Sequence, residues 1–172
     1  MSENKIILEK QNLFPFLIIL IMVLSRLIPH PPNFTPIISM AMMSGYFFKN
    51  FNLSVLILAF TILLSDLFLG FHNNMIFVYM PLFIIVSFCF KISTKINYKN
   101  LFFLGVGSSL IFFLISNFGV WLLGNMYENN INGLINCYIL AIPFFKNTLL
   151  STFIFSYGAY GANFLYSKKF SY

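Results

Sequence analysis

Residues 101–123 read LFFLGVGSSLIFFLISNFGVWLL, an uninterrupted run without a charged side chain. An α-helix needs about 20 predominantly apolar residues to cross the hydrocarbon core of a bilayer. This stretch therefore predicts a transmembrane helix, and five other runs have a similar character. The sequence predicts an all-α membrane bundle of six transmembrane helices, one integral domain over residues 1–172, with spans at residues 13–28, 36–48, 53–69, 75–90, 101–123 and 147–166.

The overall composition agrees with a membrane protein. Only 8% of the 172 residues are charged and 59% are hydrophobic, whereas about 25% of the residues of a soluble domain are charged. So few charges cannot cover a water-exposed surface. The net charge of +6 is accounted for by basic cytoplasmic loops, and we do not expect the protein to bind nucleic acid.

The segment between the last two spans has intermediate polarity. Ile131, Leu134, Ile135 and Tyr138 recur at helical spacing, and the segment ends near Pro143. Because of this polarity and the proline at its end, the segment predicts a short surface-lying or re-entrant helix within residues 127–146.

The basic residues predict the orientation of the bundle. With six crossings and a cytoplasmic N-terminus, only Arg26 and Lys146 fall outside, and cytoplasmic segments normally carry the excess of Lys and Arg. This distribution predicts a multi-pass protein of the bacterial inner (plasma) membrane with both termini cytoplasmic. The basic residues on the cytoplasmic side are then Lys5, Lys10, Lys49, Lys91, Lys95, Lys99, Lys168 and Lys169.

The first two spans are joined by a proline-rich segment, residues 29–36, which we name the proline strap. It has four prolines in eight residues, and proline fixes φ and removes a backbone donor. The strap is therefore predicted to be stiff and to hold His30, Asn33 and Thr35 at the outer face. The alternative is a rigid loop that only shapes the second span.

The third span ends in a motif with two ionisable residues, Asp66 and His72. Burying a carboxylate in the apolar part of a membrane costs free energy unless the group faces a partner, a cavity or water. Its natural partner is Arg26, at the outer end of the first span. The pair is either a structural clamp or part of a ligand site, and the two roles are compatible.

Polar residues of the fifth span and of the segment after it fall on the same outer side. Asn117 must bond across helices or to a ligand, and Trp121 is either a ligand contact or an interfacial anchor. Four segments thus converge on one face and predict an outward pocket. The candidate substrate-binding residues are Arg26, His30, Asn33, Thr35, Asp66, His72, Asn117, Trp121 and Asn136.

The sequence has no motif of a known enzyme class, neither HExxH, GxSxG nor a phosphate loop. We therefore predict no catalytic residue, no metal and no cofactor. Two alternatives remain open: a metal shared by His30 and His72, and a lipid-modifying enzyme in which Asp66 and His72 are the acid–base pair.

Four motifs together resemble an uncharacterised family of small bacterial membrane proteins: RLIPHPPNFTP (residues 26–36), LSDLFLG (64–70), SNFGVW (116–121) and AIPFFKNT (141–148). The resemblance covers roughly residues 20–165. That family is similar to the S components of energy-coupling-factor (ECF) vitamin transporters, which are six-helix proteins with an outward substrate pocket. The Ala-x-x-x-Ala-like docking motif of S components does not occur in residues 14–25.

The resemblance implies a substrate-binding membrane subunit or small transporter that captures a vitamin-like small molecule from the outer face. It also implies membrane lipid and an ECF-type energising module as partners. The competing expectation is a structural or scaffold protein of the inner membrane without a ligand.

Overall fold

The computed structural model describes the backbone of residues 3–48 and 50–170 and the side chains of residues 13–48 and 50–168. Within these residues there are six α-helices and no strand, which confirms the all-α prediction. A short 3-10 turn, Ser93–Lys95, joins the fourth and fifth helices. The helices are α1 (Glu3–Leu27), α2 (Ile37–Phe47), α3 (Phe51–Leu69), α4 (Met75–Lys91), α5 (Tyr98–Leu123) and α6 (Ile131–Phe170).

Asparagine side chains fix where three helices begin. The Oδ1 atom of Asn50 accepts from the backbone N–H of Leu53 at 3.1 Å. Asn97 caps α5 in the same way, with 3.0 Å to the backbone N–H of Lys99, and Asn130 caps α6. A side-chain oxygen at this position satisfies a backbone donor that has no partner inside the helix.

Three of the described helices are long and apolar enough to cross a membrane: Phe51–Leu69, Tyr98–Leu123 and Ile131–Lys168. The other three apolar stretches, Leu13–Leu27, Ile37–Phe47 and Met75–Lys91, are shorter. The sequence predicts seven helices, six spans and one short helix, whereas the described residues form six α-helices, and three of these, not six, are long and apolar enough to span a membrane. The clearest case is α2, which has 11 residues and rises only about 17 Å against a hydrocarbon core of about 30 Å.

Helix α2 is instead the core of the bundle. Its residues from Ile37 to Gly45 are all buried, and it contacts each of the other five helices. Gly45 allows α4 to approach closely, because a Cβ atom there would lie 2.6 Å from the carbonyl oxygen of Val86. An apolar helix of this length is typical of a buried core element.

The predicted short helix between the last two spans is wrong, because α6 is one continuous helix of 40 residues. Pro143 lies inside it and removes one helical hydrogen bond. Packing against α5 supports α6 on both sides of this proline: the Tyr138 hydroxyl donates to the carbonyl of Leu114 at 2.7 Å, and the rings of Phe102 and Phe153 stack at 5.1 Å. Membrane helices tolerate proline where neighbouring helices supply such support.

Side-chain contacts establish two ends of the bundle. Asp66 at the end of α3 bonds Arg26 at the end of α1 and Tyr79 in the first turns of α4, and Asn74 contacts the last third of α5 through Ser116. We call this the Arg26 end. The opposite, Lys91 end carries the exposed lysines Lys91, Lys95, Lys99 and Lys168.

The remaining lysines predicted for that side lie partly beyond what the structure describes. Lys49 lies outside the described residues, as do the side chains of Lys5, Lys10 and Lys169.

Candidate functional site

The centre of the candidate site is a buried ion pair between Arg26 and Asp66. The Nη2 atom of Arg26 lies 2.7 Å from Oδ1 of Asp66, and the two residues are 9% and 2% exposed. The pairing predicted from the sequence is confirmed. Whether the pair also contacts a substrate stays a prediction.

Two further hydroxyl groups complete the network around this pair. Nη1 of Arg26 donates to Oγ of Ser65, and the Tyr79 hydroxyl donates to Oδ2 of Asp66 at 2.5 Å. Both carboxylate oxygens of Asp66 therefore have a partner, as a buried charge requires. The network joins α1, α3 and α4 at the Arg26 end, and His72 takes no part in it.

Ser65 and Tyr79 are not among the nine residues predicted for the site. The sequence does offer a signal for Ser65, which directly precedes Asp66 in the motif at residues 64–70. Tyr79 lies in the apolar run of α4, and nothing in its neighbourhood marks it, because its hydroxyl meets the carboxylate only through the packing of α4 on α3.

The proline strap forms a defined turn. The backbone N–H of Phe34 donates to the carbonyl of Pro31 at 3.0 Å, and Asn33, at the third position of the turn, has a φ of 59°. Turns with proline second and a positive φ third favour Gly or Asn at that third position. The conformation of the strap is thus explained by its own sequence, which has proline and asparagine at the positions where this turn favours them.

Helix α6 holds the strap from the side. The Nδ2 group of Asn147 donates to the carbonyl of Pro32 at 2.9 Å, and the ring of Phe34 lies 6.3 Å from that of Phe155. Because Asn147 is the seventeenth residue of α6, more than four turns of this helix continue past the strap, about 24 Å at 1.5 Å per residue. The strap is therefore recessed beside the projecting part of the α5–α6 hairpin.

The two predicted residues on α5, Asn117 and Trp121, have hydrogen-bond partners within the protein. The side-chain amide of Asn117 donates to the carbonyl of Phe113 at 2.7 Å, within α5 itself, so this N–H group does not need a partner on another helix; contact of Asn117 with a ligand stays a prediction. A helix interior offers a carbonyl four residues back, and a short amide can reach it. The indole N–H of Trp121 donates to the carbonyl of Glu128 at 3.0 Å and fixes the loop after α5.

The exposed members of the predicted set are distributed over three segments. His30 and Asn33 are exposed on the strap, His72 lies between α3 and α4, and Asn136 lies on the projecting part of α6, while Thr35 is half-buried. Nδ1 of His30 lies 3.0 Å from the carbonyl of Pro31. A neutral imidazole in this arrangement donates from Nδ1 and has an acceptor at Nε2.

Neither of two cavities in the bundle is lined by any of the nine predicted residues. An apolar cavity of about 380 Å³ lies between α1 and α3. A shallow groove of about 1030 Å³ follows the outer face of α4, and we name it the α4 groove; it is lined by Ile76, Tyr79, Met80, Phe83, Ile84, Ser87, Phe88 and Lys91. The predicted outward pocket stays a prediction. Over the side chains described, no group of three or more His, Cys, Asp or Glu is arranged to hold a metal ion.

The fold and the ion pair together define an all-helical protein with membrane-compatible helices and a charged pair buried at one end. Residues 7–172 match a family of unknown function, DUF6580, and the chain belongs to this family. The expectation of an uncharacterised family is confirmed. No curated protein matches the chain, and no solved structure matches it; the similarity to S components stays a prediction.

Proposed function

We propose that this protein is a substrate-binding subunit or small transporter of the bacterial plasma membrane, and that it captures a vitamin-like small molecule at its Arg26 end. The observation that carries the proposal is a buried ion pair at the same end of the bundle as the proline strap. An ionisable pair inside a membrane helix bundle is costly, and such pairs commonly mark functional sites.

The arrangement at the Arg26 end suits a ligand of modest size. The strap is fixed by its own turn and by Asn147, so His30 and Asn33 are presented without a further cost of ordering. The projecting turns of α6 would form one side of the site and supply the amide of Asn136. The ion pair fixes the end of α1, and Arg26 lies three residues before the strap begins.

The proposed orientation places the Lys91 end in the cytoplasm and the Arg26 end outside. It is supported by the exposed lysines of the Lys91 end, because cytoplasmic segments carry the excess of Lys and Arg. Cysteines introduced by His30→Cys and by Lys95→Cys should react with a membrane-impermeant maleimide from opposite sides. The two native cysteines are buried, so their background labelling is low. Labelling of both positions from the same side would contradict the orientation.

The energy for transport would come from a partner protein or from a gradient, since the sequence has no phosphate-binding loop. The resemblance to S components suggests an ECF-type energising module for this role. Copurification of the tagged chain with an ATPase subunit from its native membrane is the corresponding measurement.

The decisive experiment for ligand capture is native mass spectrometry of the purified chain. We expect a copurifying small molecule that is lost in His30→Ala, His72→Ala and Asn136→Ala, whose exposed side chains lie at the Arg26 end. Asn52→Ala, an exposed amide at the Lys91 end, is the matched control. Thermal stability should be unchanged in all four variants.

A second candidate is a scaffold protein without a ligand. One observation favours it: Arg26 and Asp66 satisfy each other and, with Tyr79, tie three helices together, which is sufficient for a purely structural clamp. Under this alternative no small molecule copurifies, and the three alanine variants at the Arg26 end behave as Asn52→Ala does.

A further inference from the structure

The α4 groove is an apolar path that ends at a positive charge. Its residues recur every three or four positions from Ile76 to Lys91 and therefore form one face of the helix. This face is about 22 Å long at 1.5 Å per residue. It exceeds the depth of one membrane leaflet, which is about 15 Å for the hydrocarbon part.

The polar groups along this face are already engaged, except at its end. The Tyr79 hydroxyl donates to Asp66, and the Ser87 hydroxyl donates to the carbonyl of Phe83 at 2.6 Å. The groove thus presents hydrocarbon and aromatic surface up to the exposed ammonium group of Lys91.

Lys91 lies far from the described acidic groups. The acidic side chains that the structure describes are Asp66 and Glu128, and both lie at the Arg26 end of the bundle. Lys95 follows Lys91 by one turn and is also exposed. Among the side chains that the structure describes, the Lys91 end of the groove thus has basic groups and no acidic one, which favours an anion there.

We infer that the α4 groove binds one anionic phospholipid, with the phosphate at Lys91 and an acyl chain along the face from Phe88 towards Met80. The inference rests on the membrane orientation proposed above. A basic group at the inner surface attracts anionic headgroups, and the groove supplies the apolar surface for the chain. An apolar helix of another protein fits this face less well, because it would bury Lys91 without a counter-charge.

The test is lipid retention in nanodiscs of equal parts phosphatidylglycerol and phosphatidylcholine, followed by native mass spectrometry of the whole chain. We expect preferential retention of phosphatidylglycerol. Lys91→Gln should lower the phosphatidylglycerol-to-phosphatidylcholine ratio about fivefold, the factor that one lysine contributes at an anionic surface. Lys99→Gln makes the same charge change outside the groove and should lower the ratio less than Lys91→Gln does.

A second pair of variants tests the groove without changing charge. Ile84→Trp adds a bulky ring to the floor of the groove and should reduce the number of retained lipids. Leu63→Trp is the control, because Leu63 on α3 has a similar exposure, 47% against 44% for Ile84, and lies outside the groove. Both positions face outward, so both variants should fold.

Two outcomes would overturn the inference. Equal losses in Lys91→Gln and Lys99→Gln would mean diffuse attraction of anionic lipid to the basic end. No effect of Ile84→Trp would mean that the acyl chain lies elsewhere. Neither outcome bears on ligand capture at the Arg26 end, which is measured separately.

Discussion

Gly119 of α5 lies against Asn74 at the start of α4, so close that a Cβ atom on the glycine would be 2.1 Å from Oδ1 of Asn74. The amide of Asn74 donates to the carbonyl of Ser116 at 3.2 Å from this position. The Asn74 amide thus joins the start of α4 to α5, and it can approach this closely because residue 119 has no Cβ atom. The glycine of the SNFGVW motif is therefore explained by the packing of α4 on α5.

The first prediction concerns this contact. Gly119→Ala should destabilise the protein by about 1–3 kcal/mol, because the added methyl group overpacks the α4–α5 interface. Gly107→Ala in the same helix is the control, since a Cβ there meets nothing within 4 Å. Thermal unfolding in detergent measures both. Similar melting temperatures for the two variants would disprove the close contact.

The second prediction concerns the ion pair. Asp66→Asn should cost about 3–5 kcal/mol, because it leaves the guanidinium group of Arg26 buried without a counter-charge. The double variant Arg26→Met with Asp66→Leu should recover most of this loss, since two apolar groups need no charge partner. Chemical denaturation is the measurement. A double variant as unstable as Asp66→Asn would show that the pair contributes more than mutual neutralisation.

The third prediction concerns Tyr79. Removing its hydroxyl in Tyr79→Phe takes away one of the partners of the buried carboxylate, at a cost of about 1–3 kcal/mol. The control is Tyr98→Phe, because Tyr98 is 68% exposed and its hydroxyl is accessible to water. Loss of stability in Tyr79→Phe but not in Tyr98→Phe confirms the network, and equal behaviour refutes it.

The fourth prediction separates the backbone of the strap from its side chains. Asn33 has a φ of 59°, so Asn33→Ala should cost about 1–2 kcal/mol. Asn33→Gly should fold as well as the unmodified chain, because glycine adopts a positive φ without strain. If ligand capture is then lost in Asn33→Gly as well, the amide itself contacts the ligand; if it is retained, Asn33 serves the turn.

The pairing of Arg26 with Asp66 is predictable from the sequence for a simple reason. The chain has four acidic residues, and alternating helices bring the end of the first span beside the end of the third. A buried carboxylate at that level has few possible partners. Because the apolar spans contain so few charged residues, Arg26 is nearly the only partner that the sequence offers for Asp66.

Other features depend on packing that the sequence does not display. The continuity of α6 through Pro143 depends on its contacts with α5, and a proline followed by polar residues reads locally as a helix end. The central position of α2 depends on five neighbours, and its short apolar run is equally compatible with an incomplete crossing. Hydroxyl groups inside apolar runs, such as that of Tyr79, give no signal before their helices meet.

The uninterrupted length of α6 has a mechanical consequence in the proposed membrane setting. Its 40 residues rise about 60 Å, twice the thickness of the hydrocarbon core. A helix of that length relieves the mismatch by tilting or by standing out of the bilayer. Because Asn147 hydrogen-bonds the strap to this helix, a thicker bilayer would draw the strap deeper and a thinner one would lift it towards the water. Lipid thickness would therefore adjust how accessible His30 and Asn33 are, with no change in the fold itself.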